Sequence, residues 1–117
     1  MVNNNILEMD KVFSALSDPT RRTILDRLRQ GQASISEIAE PFEISLPAIS
    51  KHLKVLEKAG LISNVKEGRT HYLHLNPQPM KAAMEWLEFY RRLWEDQFDS
   101  LADYLAESDQ TAEDSHD

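Results

Sequence analysis

The sequence has no cysteine, only three glycines among its 117 residues, and no long apolar run. Without cysteine there is no disulfide framework, no thiolate metal ligand and no cysteine nucleophile. The scattered glycines exclude a glycine-rich phosphate-binding loop. No segment approaches the roughly 20 apolar residues of a membrane span, and the amino terminus lacks the pattern of a signal peptide. We therefore expect a cytoplasmic protein that has no membrane partner.

An excess of acidic residues gives the chain a net charge of −7, which at first argues against binding to DNA. The charge is distributed unevenly along the chain. Residues 1–20 carry −2, residues 21–75 carry +3 and residues 76–117 carry −8. Because the middle of the chain is mildly basic, the total charge is compatible with a local DNA-binding face.

The segment SLPAISKHLKVLEKAGL, from Ser45 to Leu61, predicts an amphipathic helix with Ser45 as its N-cap. At 100° per residue, apolar and basic positions fall on opposite faces. The apolar face consists of Ile49, Leu53 and Leu56, and the opposite face of Pro47, Lys51, Lys54 and Lys58. This pattern is typical of a DNA recognition helix. Taken alone, the pattern fits a surface helix with a solvated lysine face better. The flanking segments must therefore decide between this interpretation and a recognition helix.

The segments before Ser45 predict three further helices. The first has helical apolar spacing from Ile6 to Leu16, and the second begins at Asp18-Pro19 and ends near Gly31. The third opens at Ser34, with a glutamate three residues later as in a capping box. A short helix, a tight turn and the lysine-faced helix together match a helix-turn-helix.

Two runs after Leu61 are compatible with β-strands. Residues 61–66 and 69–75 are joined at Glu67-Gly68, which predicts a hairpin. A hairpin that directly follows a helix-turn-helix is the wing of a winged helix. Arg69 would lie near the wing tip, within reach of a phosphate or the minor groove.

Arg21 and Arg22 lie in the first turn of the second predicted helix. Cations there oppose the helix dipole unless an anionic group lies nearby. A DNA phosphate would satisfy this requirement, and so would Asp18 or a glutamate, so the sequence leaves these alternatives open.

A long helix is predicted from about Met80 to Leu105, after Pro77 and Pro79 end the sheet. Its wide apolar and aromatic stripe exceeds what a domain of this size can cover, which predicts a homodimer. The acidic residues that follow show no apolar period and are expected to be disordered. We therefore expect residues 1–106 to form one domain with dimerisation helices at both ends, and residues 107–117 to form a tail.

The runs LSDPTRRTIL, ISEIAEPFEISLPAISKHLKVLEKAGLI and VKEGRTHYLHL resemble the ArsR/SmtB family of winged-helix transcriptional repressors. This resemblance implies a mainly α fold with a small β-hairpin, namely about five helices and a two-stranded wing. It also implies a homodimer that binds a palindromic operator on double-stranded DNA near its own promoter. Glu43 departs from the glycine or asparagine often found in such turns, and a left-handed backbone there would cost about 1 kcal/mol.

Metal sensing, known in this family, does not fit these residues. The helix that carries paired cysteines in thiolate sensors has none here, and the last long helix contains no histidine. His71 and His74 lie three apart on a strand, so their side chains point to opposite faces. The chain resembles the branch without metal-binding residues, and we expect no metal, no other cofactor and no catalytic residue.

Two groups of candidate residues follow. His52 lies about 60° from the centre of the apolar face, which favours packing over base reading, but it is kept among the DNA-binding candidates. The DNA-binding candidates are Ser45, Pro47, Ala48, Ser50, Lys51, His52, Lys54, Arg69 and Arg22. The dimer-interface candidates are Leu7, Val12, Met84, Leu87, Tyr90, Trp94, Phe98 and Leu101.

The leading hypothesis is a dimeric, sequence-specific repressor of its own or a neighbouring operon. The alternative is a winged-helix protein-interaction module that does not bind DNA, which the acidic total charge motivates. An enzyme is disfavoured because this fold brings together no catalytic set. The signal is open: an effector could enter between the aromatic helices near Trp86, Tyr90 and Trp94, although a plain dimer core is favoured, and regulation by concentration alone is an alternative.

Overall fold

The computed structural model describes residues 4–114, and within that range it contains five α-helices and one antiparallel sheet. The helices are α1 (Asn4–Leu16), α2 (Pro19–Leu28), α3 (Ile35–Ala39), α4 (Leu46–Lys58) and α5 (Met80–Asp114). The strands are β1 (Ala33–Ser34), β2 (Ile62–Glu67) and β3 (Thr70–Leu75). The predicted mainly α fold with a helix-turn-helix and a wing is confirmed.

Side-chain caps begin α2 and α3 at the predicted residues. The backbone of Asp18 is extended, and its carboxylate accepts a hydrogen bond from the Arg21 N–H at 3.1 Å. The hydroxyl of Ser34 accepts one from the Glu37 N–H at 3.1 Å. Each cap satisfies an N–H group that has no partner inside its helix.

The sheet has three strands in the order β1-β3-β2, one more than the predicted wing. β1 consists of only two residues, and Ala33 and Ser34 pair with Leu73 and Tyr72 of β3. Because two residues cannot show an alternating pattern, periodicity could not reveal this strand.

The wing turn consists of Gly68 and Arg69, with Glu67 paired to Thr70 across it. Gly68 has a φ of +64°, whereas Arg69 does not have a positive φ. A positive φ at the first of two loop residues is the pattern of a type II′ turn, which favours glycine there. Arg69 therefore lies in the turn itself rather than just after it.

The structure divides into two units, of which the first extends to Ala83 and the second begins at Met84. The core of the first unit lies between α1, α2, α3, α4 and the sheet, and it includes the start of α5. The largest fully buried side chains are Val12, Ile24, Ile38, Ile49, Leu56, Leu61 and Leu73. Met80 and Ala83, in the first turn of α5, also pack on this core.

α4 ends in a Schellman motif. Gly60 has a φ of +75° and donates its N–H to the Glu57 carbonyl at 2.9 Å, and Leu61 donates to the Leu56 carbonyl at 3.0 Å. This motif turns the chain from α4 directly into β2. The sequence prediction that Gly60 ends this helix is confirmed.

α5 continues to Asp114, nine residues beyond the predicted end at Leu105. No glycine or proline follows Pro79, so no residue in the extra turns is a strong helix breaker. The apolar period ends near Leu105, but the helix does not end with it. Residues 115–117 of the predicted tail lie outside the described residues.

Candidate DNA interface

The lysine-faced helix begins as predicted. Ser45 is extended and its hydroxyl accepts a hydrogen bond from the Ala48 N–H at 3.3 Å, while the Ser45 carbonyl accepts one from Ile49 at 3.0 Å. Pro47 occupies the second helical position, where the lack of an N–H group costs nothing. These residues fix the first turn of α4, the part of a recognition helix that contacts base edges in helix-turn-helix proteins.

The two faces of α4 are separated as the phase predicts. Ile49, Leu53 and Leu56 are buried in the core. The lysines Lys51, Lys54 and Lys58 of the opposite face are all exposed. The exposed candidates on α4 and its cap are Ser45, Pro47, Ser50, Lys51 and Lys54, whereas Ala48 is half-buried. An exposed cationic face on a helix anchored by its opposite side can approach DNA without rearrangement of the core.

The turn between α3 and α4 is unstrained. Only glycines have a positive φ among the described residues, so Glu43 does not adopt the left-handed conformation. The cost of about 1 kcal/mol for a left-handed backbone at Glu43 therefore does not arise.

His52 is half-buried and belongs to a polar cluster, as its position near the apolar face predicts. Its Nδ1 lies 3.3 Å from Nη1 of Arg21 and 3.7 Å from the Asp18 carboxylate. The Arg21 N–H hydrogen bond, aided by the nearby charges of His52 and Arg21, holds the pKa of the Asp18 carboxyl below its ordinary value. His52 thus links α4 to the start of α2.

Two arginines in the first turn of α2, Arg21 and Arg22, bind the carboxyl end of α1. Arg21 donates from Nε to the Ala15 carbonyl at 2.7 Å and from Nη2 to the Ser14 carbonyl at 3.0 Å. Arg22 donates from Nη1 to the Leu16 carbonyl at 2.7 Å. The last carbonyls of a helix lack partners within it and carry partial negative charge. The guanidinium groups therefore bind the end of α1, a tertiary partner that was not among the alternatives considered. Asp18, which was one of them, also lies close enough for the Arg21 charge to lower the pKa of its carboxyl.

The wing places Arg69 in solvent at its tip. Close to this tip, Nδ1 of the exposed His71 lies 3.0 Å from the side-chain oxygen of Asn64. An arginine on a projecting hairpin can contact a phosphate or the minor groove beside the helix.

One residue of this surface was missed by the sequence reasoning. Leu46, the first residue of α4, is 62% exposed. Its spacing of three residues from Ile49 assigns it to the apolar face, but its side chain is mostly in solvent. An apolar residue directly after an N-cap was the available signal.

Val12 is wrong as a dimer-interface candidate. It is fully buried in the core of its own unit, so it has no surface left to contact another chain. Leu7, on the same helix, is exposed and stays a prediction.

The second unit presents a helix with large apolar side chains in solvent. The remaining dimer candidates are all exposed: Met84, Leu87, Tyr90, Trp94, Phe98 and Leu101. Neighbouring rings contact along the helix, with Trp86 and Tyr90 centroids 4.8 Å apart. Arg91 bonds both Glu88 and Glu95, which neutralises charge on the same helix.

Comparison with known proteins decides the family. The profile described as "Bacterial regulatory protein, arsR family" matches residues 18–64. The transcriptional repressor SdpR of Bacillus subtilis (strain 168) is 44% identical over 79 residues, which cover 68% of this chain and 88% of that protein. The chain belongs to the ArsR family of bacterial regulatory proteins.

Solved structures of ArsR proteins share the fold. The crystal structure of an ArsR family transcriptional regulator has a TM-score of 0.69 and 41% identity, covering 75% of this chain and 91% of that one. A second neighbour, from Mycobacterium bovis, is the homodimeric winged helix-turn-helix DNA-binding domain of a possible ArsR-family regulator. Its TM-score is 0.60 at 26% identity, and the match covers 75% of this chain and 83% of that one.

Membership in the ArsR family makes this chain a transcriptional regulator rather than an enzyme, and the protein-interaction alternative is not favoured. Within residues 4–114, no group of three or more histidine, aspartate or glutamate side chains is placed to hold a metal ion. Over the same range, no helix is long and apolar enough to cross a membrane.

Proposed function

We propose that the chain is a homodimeric repressor that binds a palindromic operator of its own or a neighbouring operon. The observation that carries this proposal is α4, whose capped first turn and lysine face stand in solvent while its apolar face is buried in the core. The wing with Arg69 adds a second contact on the same unit. The DNA-binding neighbour from Mycobacterium bovis supports the same use of this fold.

The candidate residues divide by position on α4. Pro47, Ala48, Ser50 and Lys51 lie in its first turns and are assigned to base edges, with Lys51 contacting guanine. Lys54 and Lys58 lie further along and are assigned to phosphates, as are Arg69 and Arg22. These phosphate contacts give affinity without sequence preference.

The homodimer is proposed from the apolar side chains of residues 84–105, whose exposure is large for a monomer. The neighbour named as homodimeric supports it. A two-fold dimer presents two copies of α4, so its preferred site has two symmetry-related half-sites. We also propose residues 1–106 as the functional domain and residues 107–117 as an acidic segment, which continues α5 as far as Asp114 instead of being disordered there.

Footprinting on the region upstream of the gene tests this function, with clean protection of a palindrome expected. The double variant Lys51→Ala/Arg69→Ala should bind the protected duplex more weakly. Because only the two Arg69 side chains of the dimer are assigned to phosphates in this pair, the slope of log K against log salt should fall by about 2. The matched control Arg29→Ala/Lys81→Ala removes the same charge from exposed positions outside α4 and the wing, and should bind like the parent.

A double variant that binds and responds to salt like the parent would refute the assigned surface. Absence of any protection at low salt would instead favour a protein-interaction module.

A further inference from the structure

The start of α4 combines an apolar surface with a shortage of hydrogen-bond donors. Leu46, Pro47 and Ala48 are the first three helical residues, and Leu46 is the most exposed large apolar side chain in the described part of the first unit. Pro47 has no N–H group, the Ala48 N–H is bonded to the Ser45 hydroxyl, and the Ile49 N–H to the Ser45 carbonyl. This end of the helix therefore has little with which to bind an anion.

The side of α4 next to Leu46 is acidic. A shallow groove there is lined by Leu46 and Ile44 together with Glu37 and Glu40 of the preceding helix and its cap. A phosphate that approached Leu46 from this side would meet the carboxylate of Glu40 and that of Glu37, of which the second is paired with Arg27 at 3.4 Å. A neutral, apolar group is a better partner for this position than the DNA backbone.

The major groove offers one such group. Each base pair presents hydrogen-bond donors and acceptors there, and the only apolar feature is the C5-methyl of thymine. Resting on the proposed DNA-binding function, we infer that Leu46 is a specificity-determining residue that contacts a thymine methyl in each half-site. Lys51, one and a half turns later, supplies the hydrogen bonds that Leu46 lacks.

Replacement of thymine by deoxyuridine tests this contact, because it removes the methyl and leaves the base pair intact. A duplex selected by the parent protein from a random library is remade with each thymine replaced in turn. In each half-site, replacement of one particular thymine by deoxyuridine should weaken binding about fourfold, which is the value for one buried carbon. Replacement of both of these thymines together should weaken binding about 15-fold. The other thymines should change binding less than twofold.

Leu46→Ala should weaken binding to the thymine duplex by a similar factor and should bind thymine and deoxyuridine duplexes equally. Val65→Ala, a similarly truncated exposed apolar residue on β2, should keep the parent's preference for thymine. Leu46→Gln should move the preference at that base pair toward adenine, which glutamine recognises through two hydrogen bonds. Since Leu46 is mostly exposed, the melting temperatures of these variants should stay close to the parent's.

The inference is overturned if the parent binds all thymine and deoxyuridine duplexes within twofold, or if Leu46→Ala retains the parent's ratio. Either result would leave the repressor function intact. Failure of the parent to enrich any duplex would remove both the inference and the proposed function.

Discussion

The guanidinium of Arg21 lies 3.3 Å from the imidazole Nδ1 of His52 and also donates to the carbonyls of Ser14 and Ala15. A single half-buried side chain of α2 therefore contacts both the end of α1 and the middle of the proposed recognition helix. The position of α4 on the core depends in part on this contact.

Arg21→Ala should destabilise the fold by about 2 kcal/mol. The change leaves two helix-terminal carbonyls without their charged donor, and bonds to charged groups contribute about 1.5 to 3 kcal/mol. Urea unfolding followed by circular dichroism measures the loss. Arg29→Gln is the control. Its side chain is well exposed and its ion pair with Asp26 is long, at 3.7 Å, so the change should alter the free energy of unfolding by less than about 0.5 kcal/mol. Equal stability of the two variants would contradict the structural role of Arg21.

Asp18→Asn should reduce the dependence of stability on acidic pH. The folded-state pKa of Asp18 lies below its unfolded value, chiefly because of the Arg21 N–H, so the ionised carboxylate stabilises the fold above the unfolded pKa. This contribution is lost as the pH falls below about 4. Asparagine caps helices about as well as aspartate, so the neutral cap remains. Urea midpoints of parent and variant should differ at pH 7 and converge near pH 2, and a constant difference would contradict the prediction.

Trp94→Glu/Phe98→Glu should convert the proposed dimer into a monomer. Both side chains are more than 60% exposed on the apolar side of α5, and burying carboxylates between helices is costly. The dissociation constant of the dimer should rise roughly 100-fold, as measured by sedimentation or light scattering. Asp103→Ala, half a turn around the helix from Trp94, should remain dimeric. A double variant with the parent's mass in solution would exclude this face from the interface.

Gly60→Ala should destabilise the fold more than Gly68→Ala. Both glycines have a positive φ, which costs an alanine about 1 to 2 kcal/mol. At Gly60 the added carbon would also lie 3.3 Å from the Pro79 ring, whereas nothing lies within 4 Å at Gly68. Gly68→Asn should be milder than Gly68→Ala, since asparagine adopts this conformation more readily. Denaturant unfolding of the three variants gives the order, and a larger loss at Gly68 would refute it.

The sequence predicted those features that depend on neighbouring residues. The caps at Asp18, Ser34 and Ser45 and the stop at Gly60 are local, so they could be read directly from residue type and spacing. The two faces of α4 followed from its period.

Features that depend on tertiary contact could not be obtained this way. Arg21 and Arg22 bind the end of α1, which only the packing of two helices reveals. Val12 has the same helical spacing as an interface residue, and only its burial separates the two roles. The end of α5 was misplaced because loss of apolar period does not stop a helix that lacks breakers.

The pairing of Ala33 and Ser34 with β3 has a consequence for engineering. Ser34 ends a strand and also caps α3 through its hydroxyl, so the hairpin shares a backbone ladder with the helix-turn-helix. A wing transplanted from a related protein as residues 62–75 alone would lose its third strand partner. A functional graft therefore has to carry two non-contiguous pieces, the hairpin and the dipeptide before α3, in matched register.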